Sequence, residues 1–321
     1  MALITCFDDL PDLVLIEFFS YLSSINILWG FTHLNQRLTM LIIERGFFYH
    51  INLSLARYDQ FNKILHFLPL NDIQSLAIDS DASPLQLTHW PYLPCLRTLR
   101  IIGVYNCDEL SLFVLLHAAT LTHLIIKSNE RMVPDGLSIK FVYPIGCMMT
   151  LIDKVLVHLP ALQSLVLGMN YYGTRWSITT AIASLTYLRI SLPSIDILVH
   201  LMSTPPLFKT LRQLHICISY NHSPKPTANL SIPMFNLHTF TLVQTFFSMY
   251  TIEWMLFETL TSSKMMPILQ HASVSLFIDI NDLNRISSSA LFTDHRHVNV
   301  NFAFNLFNCP QYIEMTLYPT W

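Results

Sequence analysis

The sequence predicts an α/β fold: an N-terminal helical module, then stacked strand–helix units whose strands form a parallel sheet on a concave side. Three observations predict it. From Ile73 onward an apolar phrase recurs at nearly constant spacing. The composition is 52% hydrophobic and only 12% charged, against a usual charged share of about 25%. A repeat array needs such material, because every unit donates a strand and a helix to one continuous buried seam. Finally, the run from Leu10 to Leu22 reads as a helix with more apolar surface than one small domain can hide.

The first element is that helix. Pro11 suits a first helical position, where its missing N–H costs nothing. Leu15, Phe19 and Leu22 then fall at i, i+4, i+7, and Ile16 widens the stripe. Leu13, Val14 and Phe18 cover most of the remaining circumference, so the helix wants neighbours on two sides. Ser23 and Ser24 offer N-cap hydroxyls for a second helix, and Gly30 loosens its end. A third helix is expected from near Asn35 to Arg45, with Gly46 in the C′ position that favours a left-handed residue.

These residues resemble an F-box. The matching run is Leu10-Pro11, then Leu15-Ile16, then Phe19-Ser20-Tyr21-Leu22; it continues through Ser24-Ile25-Asn26-Ile27-Leu28 to Phe31, Leu34, Asn35, Leu38 and Leu41. The resemblance covers Phe7 to Phe48 and divides the chain into a module at 1–50 and a remainder at 51–321. It implies a three-helix module that docks on a Skp-type adaptor and, through it, on a cullin ubiquitin ligase. The adaptor-binding set it implies is Leu10, Pro11, Leu15, Ile16, Phe19, Leu22, Leu28 and Phe31.

The repeats follow. The phrase is an apolar residue, two variable, an apolar, one variable, an apolar. It occurs at Ile73-Leu76-Ile78, Leu96-Leu99-Ile101, Leu121-Leu124-Ile126, Leu162-Leu165-Leu167, Leu185-Leu188-Ile190, Leu211-Leu214-Ile216, Leu237-Phe240-Leu242 and Leu269-Ala272-Val274. First positions are separated by 23, 25, 41, 23, 26, 26 and 32 residues. Most of these steps fall in the roughly 20–29 period of leucine-rich repeats, which the segment resembles. About eight degenerate units are expected, with an insertion near 130–150 where Val133 to Gly146 carries two Pro and two Gly. Three positions beyond the phrase, that family favours Asn to satisfy backbone groups at the turn. Asn129 and Asn170 fit, Asp81, Ser219 and Thr245 are polar stand-ins, and Val104 and Pro193 do not fit. Helical spacing appears at Asp108–Ala119, Leu151–His158, Ile195–Met202 and Ile252–Leu260, and Val298–Phe304 with Ile313–Leu317 reads as a last irregular unit.

Several function classes are excluded at this level. The net charge of −3 and the lack of a basic cluster argue against nucleic acid as a partner. Leu110 to Ile126 is uncharged, yet His117, Thr120, Thr122 and His123 make helix, turn and strand a better account than a membrane span. The six dispersed cysteines lack metal spacing and suit a reducing compartment, cytoplasmic or nuclear. Asp8, Asp9 and Asp12 do not suit a signal peptide, so the sequons at Asn52, Asn221 and Asn229 are expected to carry no glycan. No dinucleotide, phosphate-loop, zincin or nucleophile-elbow motif is present, and His295 and His297 flanking Arg296 read as a solvated loop. Neither an enzyme activity nor a cofactor is expected.

Recognition is therefore the expected function. With the phrase residues pointing inward, alternate positions line the concave face. There, a row through Arg100, Lys127, Arg189 and His215 is basic, Tyr187 offers an aromatic anchor, and His123 and Gln213 add polar contacts. This face is expected to take a target protein, through an acidic or phosphorylated segment. An F-box followed by such repeats implies a substrate-recognition subunit of a Skp–cullin–F-box ligase. The other reading is a free-standing repeat scaffold or inhibitor whose N-terminal helices merely cap the first unit.

Overall fold

The computed structural model describes residues 7–31, 34–54, 56, 65, 68–79, 90–103, 107–127, 145–168, 183–218, 232–245, 252, 254–280, 283–293 and 295–307. The chain forms two compact units, Met1–Met169 and Asn170–Trp321. The front helices thus share a unit with the first strands.

The first unit opens on a 3₁₀ turn at Phe7–Asp9, then α1 (Asp12–Ser20), α2 (Ser24–Phe31) and α3 (Gln36–Glu44). Pro11 lies one position earlier than expected: it is the N-cap of α1, in an extended conformation, and its carbonyl receives the Val14 and Leu15 amides. The Ser23 hydroxyl accepts the Asn26 amide at 3.3 Å, and the Asn35 side chain accepts the Leu38 amide at 2.8 Å, so both later helices start on a side-chain cap. Just past the C-cap Arg45, α3 is stopped by Gly46, whose φ of +72° is the left-handed conformation that only glycine adopts cheaply.

Five strands follow in chain order: β1 (His50–Asn52), β2 (Ser75–Asp79), β3 (Thr98–Ile102), β4 (His123–Lys127) and β5 (Ser164–Gly168). Each pairs in parallel with the next. The register aligns Ile51, Leu76, Leu99, Leu124 and Leu165, then Ile78, Ile101, Ile126 and Leu167. Those side chains are buried, so identical phrase positions stack into apolar ladders, which is why the phrase must repeat. Between strands, α4 (Cys107–Leu116) packs against α5 (Ile145–His158). The uncharged run at 110–126 is accordingly helix, turn and strand, and among the described residues no helix is long and apolar enough to cross a membrane.

The second unit repeats the scheme. β6 (Tyr187–Leu192), β7 (Gln213–Ile218), β8 (Thr239–Gln244), β9 (His271–Asp279) and β10 (Asn299–Phe307) pair in parallel in that order. The helical pieces are α6 (Ile195–Met202), α7 (Leu207–Thr210), α8 (Trp254–Thr261), α9 (Leu283–Ser287) and α10 (Ala290–Thr293). Here Leu188, Leu214, Phe240, Ala272 and Val300 share a rung. The large Phe240 ring, 6.2 Å from Phe257, sits beside the small Ala272, so neighbouring units trade volume.

Two strands differ from the sequence expectation. β1 carries the phrase in Phe48, Ile51 and Leu53, all buried, one unit ahead of the expected start. β10 is longer than Val298–Phe304. Asn129, Asn170, Asp81, Ser219, Val104, the 128–144 part of the insertion and Ile313–Leu317 lie outside the described residues. Thr245 is described: its amide and hydroxyl both donate to the Ile218 carbonyl, at 3.0 and 3.3 Å, as a turn residue there should.

Candidate functional site

The front module is held together from inside by aromatic rings. Phe19 lies 5.1 Å from Phe31 and 5.9 Å from Phe47, and Phe7 lies 5.5 Å from Phe18 and 5.4 Å from Phe31. Leu15, Phe19, Leu28, Leu38 and Ile42 fill the same core. Arg37 of α3 reaches Asp12 at 2.5 Å and the Leu10 carbonyl at 2.8 Å, fixing the angle at which the chain enters α1. Ser24 of α2 donates to the His50 carbonyl at 3.2 Å, so the module also seats on β1.

This core corrects the expected adaptor set. Leu15, Phe19 and Leu28 are sealed against their own chain and present nothing to a partner. Leu10, Ile16, Leu22 and Phe31 are half-buried, and Pro11 is exposed. The apolar surface left outside is a different stripe of the same helix: Leu13 is 75% exposed and Val14 47%, with Phe18 and Tyr21 beside them. Val14, Phe18 and Tyr21 stand at i, i+4, i+7, so they share a side. The same spacing was in the sequence, but α1 carries two apolar stripes and periodicity does not rank them. Burial of Leu15 and Phe19 decides which one turns inward, with Phe47 packed on Phe19; Phe18 sits at the border, touched by Phe7 and Phe31 yet 41% exposed.

The polar sheet face of the first unit has three rows. The first runs His50, Ser75, Thr98, His123 and Ser164; the second Asn52, Ala77, Arg100, Ile125 and Val166; the third Asp79, Ile102, Lys127 and Gly168. Arg100 and Lys127 therefore do not share a row, contrary to expectation, because each strand offsets alternate side chains by two residues along its axis. Arg100 stands exposed between Ala77 and Ile125; Lys127 stands exposed between Ile102 and Gly168. The Thr122 hydroxyl donates to the Arg97 carbonyl at 3.1 Å and lies 2.8 Å from His123 Nδ1. With its only proton committed to that carbonyl, the hydroxyl is left to accept from His123 Nδ1.

In the second unit Tyr187, Gln213, Thr239, His271 and Asn299 form one row, and Arg189, His215, Thr241, Ser273 and Asn301 the next. Arg189 and Gln213 are exposed, while Tyr187 and His215 are half-buried with rings 5.2 Å apart. His215 Nδ1 meets the Thr241 hydroxyl at 2.9 Å. Burial first, and the Arg189 charge second, hold this imidazole below its ordinary value. His215 is therefore neutral at pH 7 and contributes a hydrogen-bonding edge, not the positive charge expected of it. The face is rich in hydroxyl, amide and imidazole groups, with Arg189 as its exposed cation among the residues of these two rows.

Among the described residues no group of three or more His, Cys, Asp or Glu side chains converges as a metal site would. His295 and His297 are exposed around Arg296, whose guanidinium is turned back to donate to the Met266 and Thr261 carbonyls. No family model matches the chain, and no curated protein sequence matches it.

Proposed function

We propose that the chain is a non-enzymatic recruiting subunit of a Skp–cullin–F-box ubiquitin ligase, acting in the cytoplasm or nucleus. In this reading the front helices are an F-box that docks on a Skp-type adaptor. The parallel sheets are leucine-rich repeats whose polar faces hold a target protein. The observation that carries it is the outward stripe of α1. Leu13, Val14, Phe18 and Tyr21 stay exposed although the helix has already filled its own core with Leu15 and Phe19. Exposed apolar patches of this kind on an ordered helix mark a docking surface. The mechanism is positioning: the target is held near the ligase's catalytic machinery, which raises its effective concentration there.

A second reading has its own observation. Ser24 and α2 seat on β1, as helices that only cap the first strand of a scaffold would. The two separate on one experiment. Leu13→Asp combined with Val14→Asp alters exposed positions, so the fold should stand. Co-expressed with a Skp-type adaptor, the wild type is expected to co-purify with it and the double variant to lose at least about 10-fold in capture, as for a hot spot of 1.4 kcal/mol or more. Capture of neither removes the docking reading and leaves the scaffold; equal capture of both removes this stripe of α1 as the docking surface.

A further inference from the structure

The two end strands are finished differently. β1 is three residues long and carries the front helices on it through Ser24 and α2. β10 is nine residues long, is the last strand in the sheet order, and has no described neighbour beyond it. Natural sheets blunt such an edge with Lys, Pro, a bulge or a short strand. Asn299-Val300-Asn301-Phe302-Ala303-Phe304-Asn305-Leu306-Phe307 contains no charge and no proline.

Which backbone groups face away from β9 follows from the ladder. The Asn299 amide donates back to the Gln270 carbonyl at 2.8 Å. In a parallel pair alternate residues bond to alternate sides. The N–H and C=O groups of Val300, Phe302, Phe304 and Leu306 are therefore aimed outward. The side chains of the same four residues continue the apolar rungs of Ala272, Val274, Leu276 and Ile278. Phe304 packs edge-on to Trp254 at 5.9 Å, Phe302 stacks on Phe304 at 4.9 Å, and Phe302 remains 45% exposed.

The strand also reads nearly the same in both directions about Ala303: Asn301-Phe302-Ala303-Phe304-Asn305, flanked by Val300 and Leu306. We propose that β10 is a self-recognition edge, pairing antiparallel with β10 of a second copy about a two-fold axis at Ala303. The symmetry and the backbone geometry agree. With Ala303 facing its own copy as a non-hydrogen-bonded pair, Phe302 faces the partner's Phe304 and Val300 the partner's Leu306. Those are the residues whose N–H and C=O groups point outward, and each facing pair exchanges both bonds. Aromatic meets aromatic, branched meets branched, and Asn301 meets the partner's Asn305, with no like charges brought together. An isologous contact of this type closes after two copies. It stands independently of how the front module is read, and doubles whatever the sheets capture.

Sedimentation of the full chain over a range of concentrations tests it. The wild type is expected to form a concentration-dependent dimer. Ala303→Lys and Ala303→Glu, at an exposed position, should each sediment as a monomer, and their equimolar mixture should regain the dimer. Ala303→Cys, which leaves the strand's shape unchanged, should form a covalent dimer on mild oxidation well above the wild-type background, because Cα atoms in such a pair lie about 4.5 Å apart, within disulfide reach. A monomeric wild type, as would follow if residues 308–321 occupied the edge, overturns the proposal. So does a dimer that survives both charge substitutions, or an assembly that grows past two.

Discussion

His117 shows how much one side chain can settle. It is buried at the end of α4, with its ring 5.4 Å from Tyr92 and nearly parallel to it, and 4.8 Å from Phe113. Leu93 can only donate its amide, at 3.0 Å to Nε2, so Nδ1 carries the proton and gives it to the Phe113 carbonyl at 2.8 Å. The neutral ring thus ties a helix to the loop preceding β3, and a proton on Nε2 would break the tie. Burial holds its pKa below the ordinary 6.5, outweighing the opposite pull of the Phe113 carbonyl. The sign follows from linkage: below 6.5 the unfolded chain takes up a proton that the folded chain refuses, so stability falls as pH drops from 6.5 toward the lower folded value. Because His215 is lowered as well, the comparison must be with His117→Gln. Urea midpoints from pH 7.5 down to 5.5 should fall more steeply for the wild type than for the variant; equal slopes would remove His117 from the account. Nothing in the sequence announced this residue beyond its being a polar group in an apolar run. The tautomer and the stacking exist only once Tyr92 and Leu93 are brought alongside.

At the scale of elements, the strands were legible and their ends were not. The eight phrases each became a strand because a fixed spacing of buried residues is what a stacked parallel ladder requires. β1 is hidden in the sequence because its phrase, Phe48-Ile51-Leu53, overlaps the end of the helical module. For α1 the pattern showed two apolar sides without saying which was the core. The stop of α3 was readable, since Gly46 followed the last periodic residue. The structure adds a second reason for glycine there: a Cβ at Gly46 would lie 2.7 Å from the Tyr49 ring, besides needing φ of +72°. Gly46→Ala is therefore expected to destabilise the first unit by about 1–3 kcal/mol, from the left-handed backbone and the clash together. Chemical denaturation reads this directly. A change below about 0.5 kcal/mol would mean that the helix end rearranges freely, against the tight turn seen from Arg45 to Tyr49.

At the scale of the whole chain, sequence and structure agree on an α/β architecture of parallel strands joined by helices, with alternate residues divided between a buried and a polar side. The division into units at 169/170 was not legible, because the repeat runs through both units unchanged. The expected basic row fails for a related reason. Alternation gives the face on which Arg100 and Lys127 fall, but register puts them in different rows, and burial holds His215 below its ordinary pKa. The proposed function rests on two surfaces left uncovered among the described residues, an apolar stripe on α1 and polar sheet faces. The most direct measurement is a calorimetric titration of the purified full chain with a purified Skp-type adaptor, repeated at several temperatures. A docking module predicts saturable binding and a negative heat-capacity change, as burial of Leu13, Val14 and Phe18 requires. Absence of binding at adaptor concentrations of about 100 μM, roughly 5.5 kcal/mol of affinity, would contradict it.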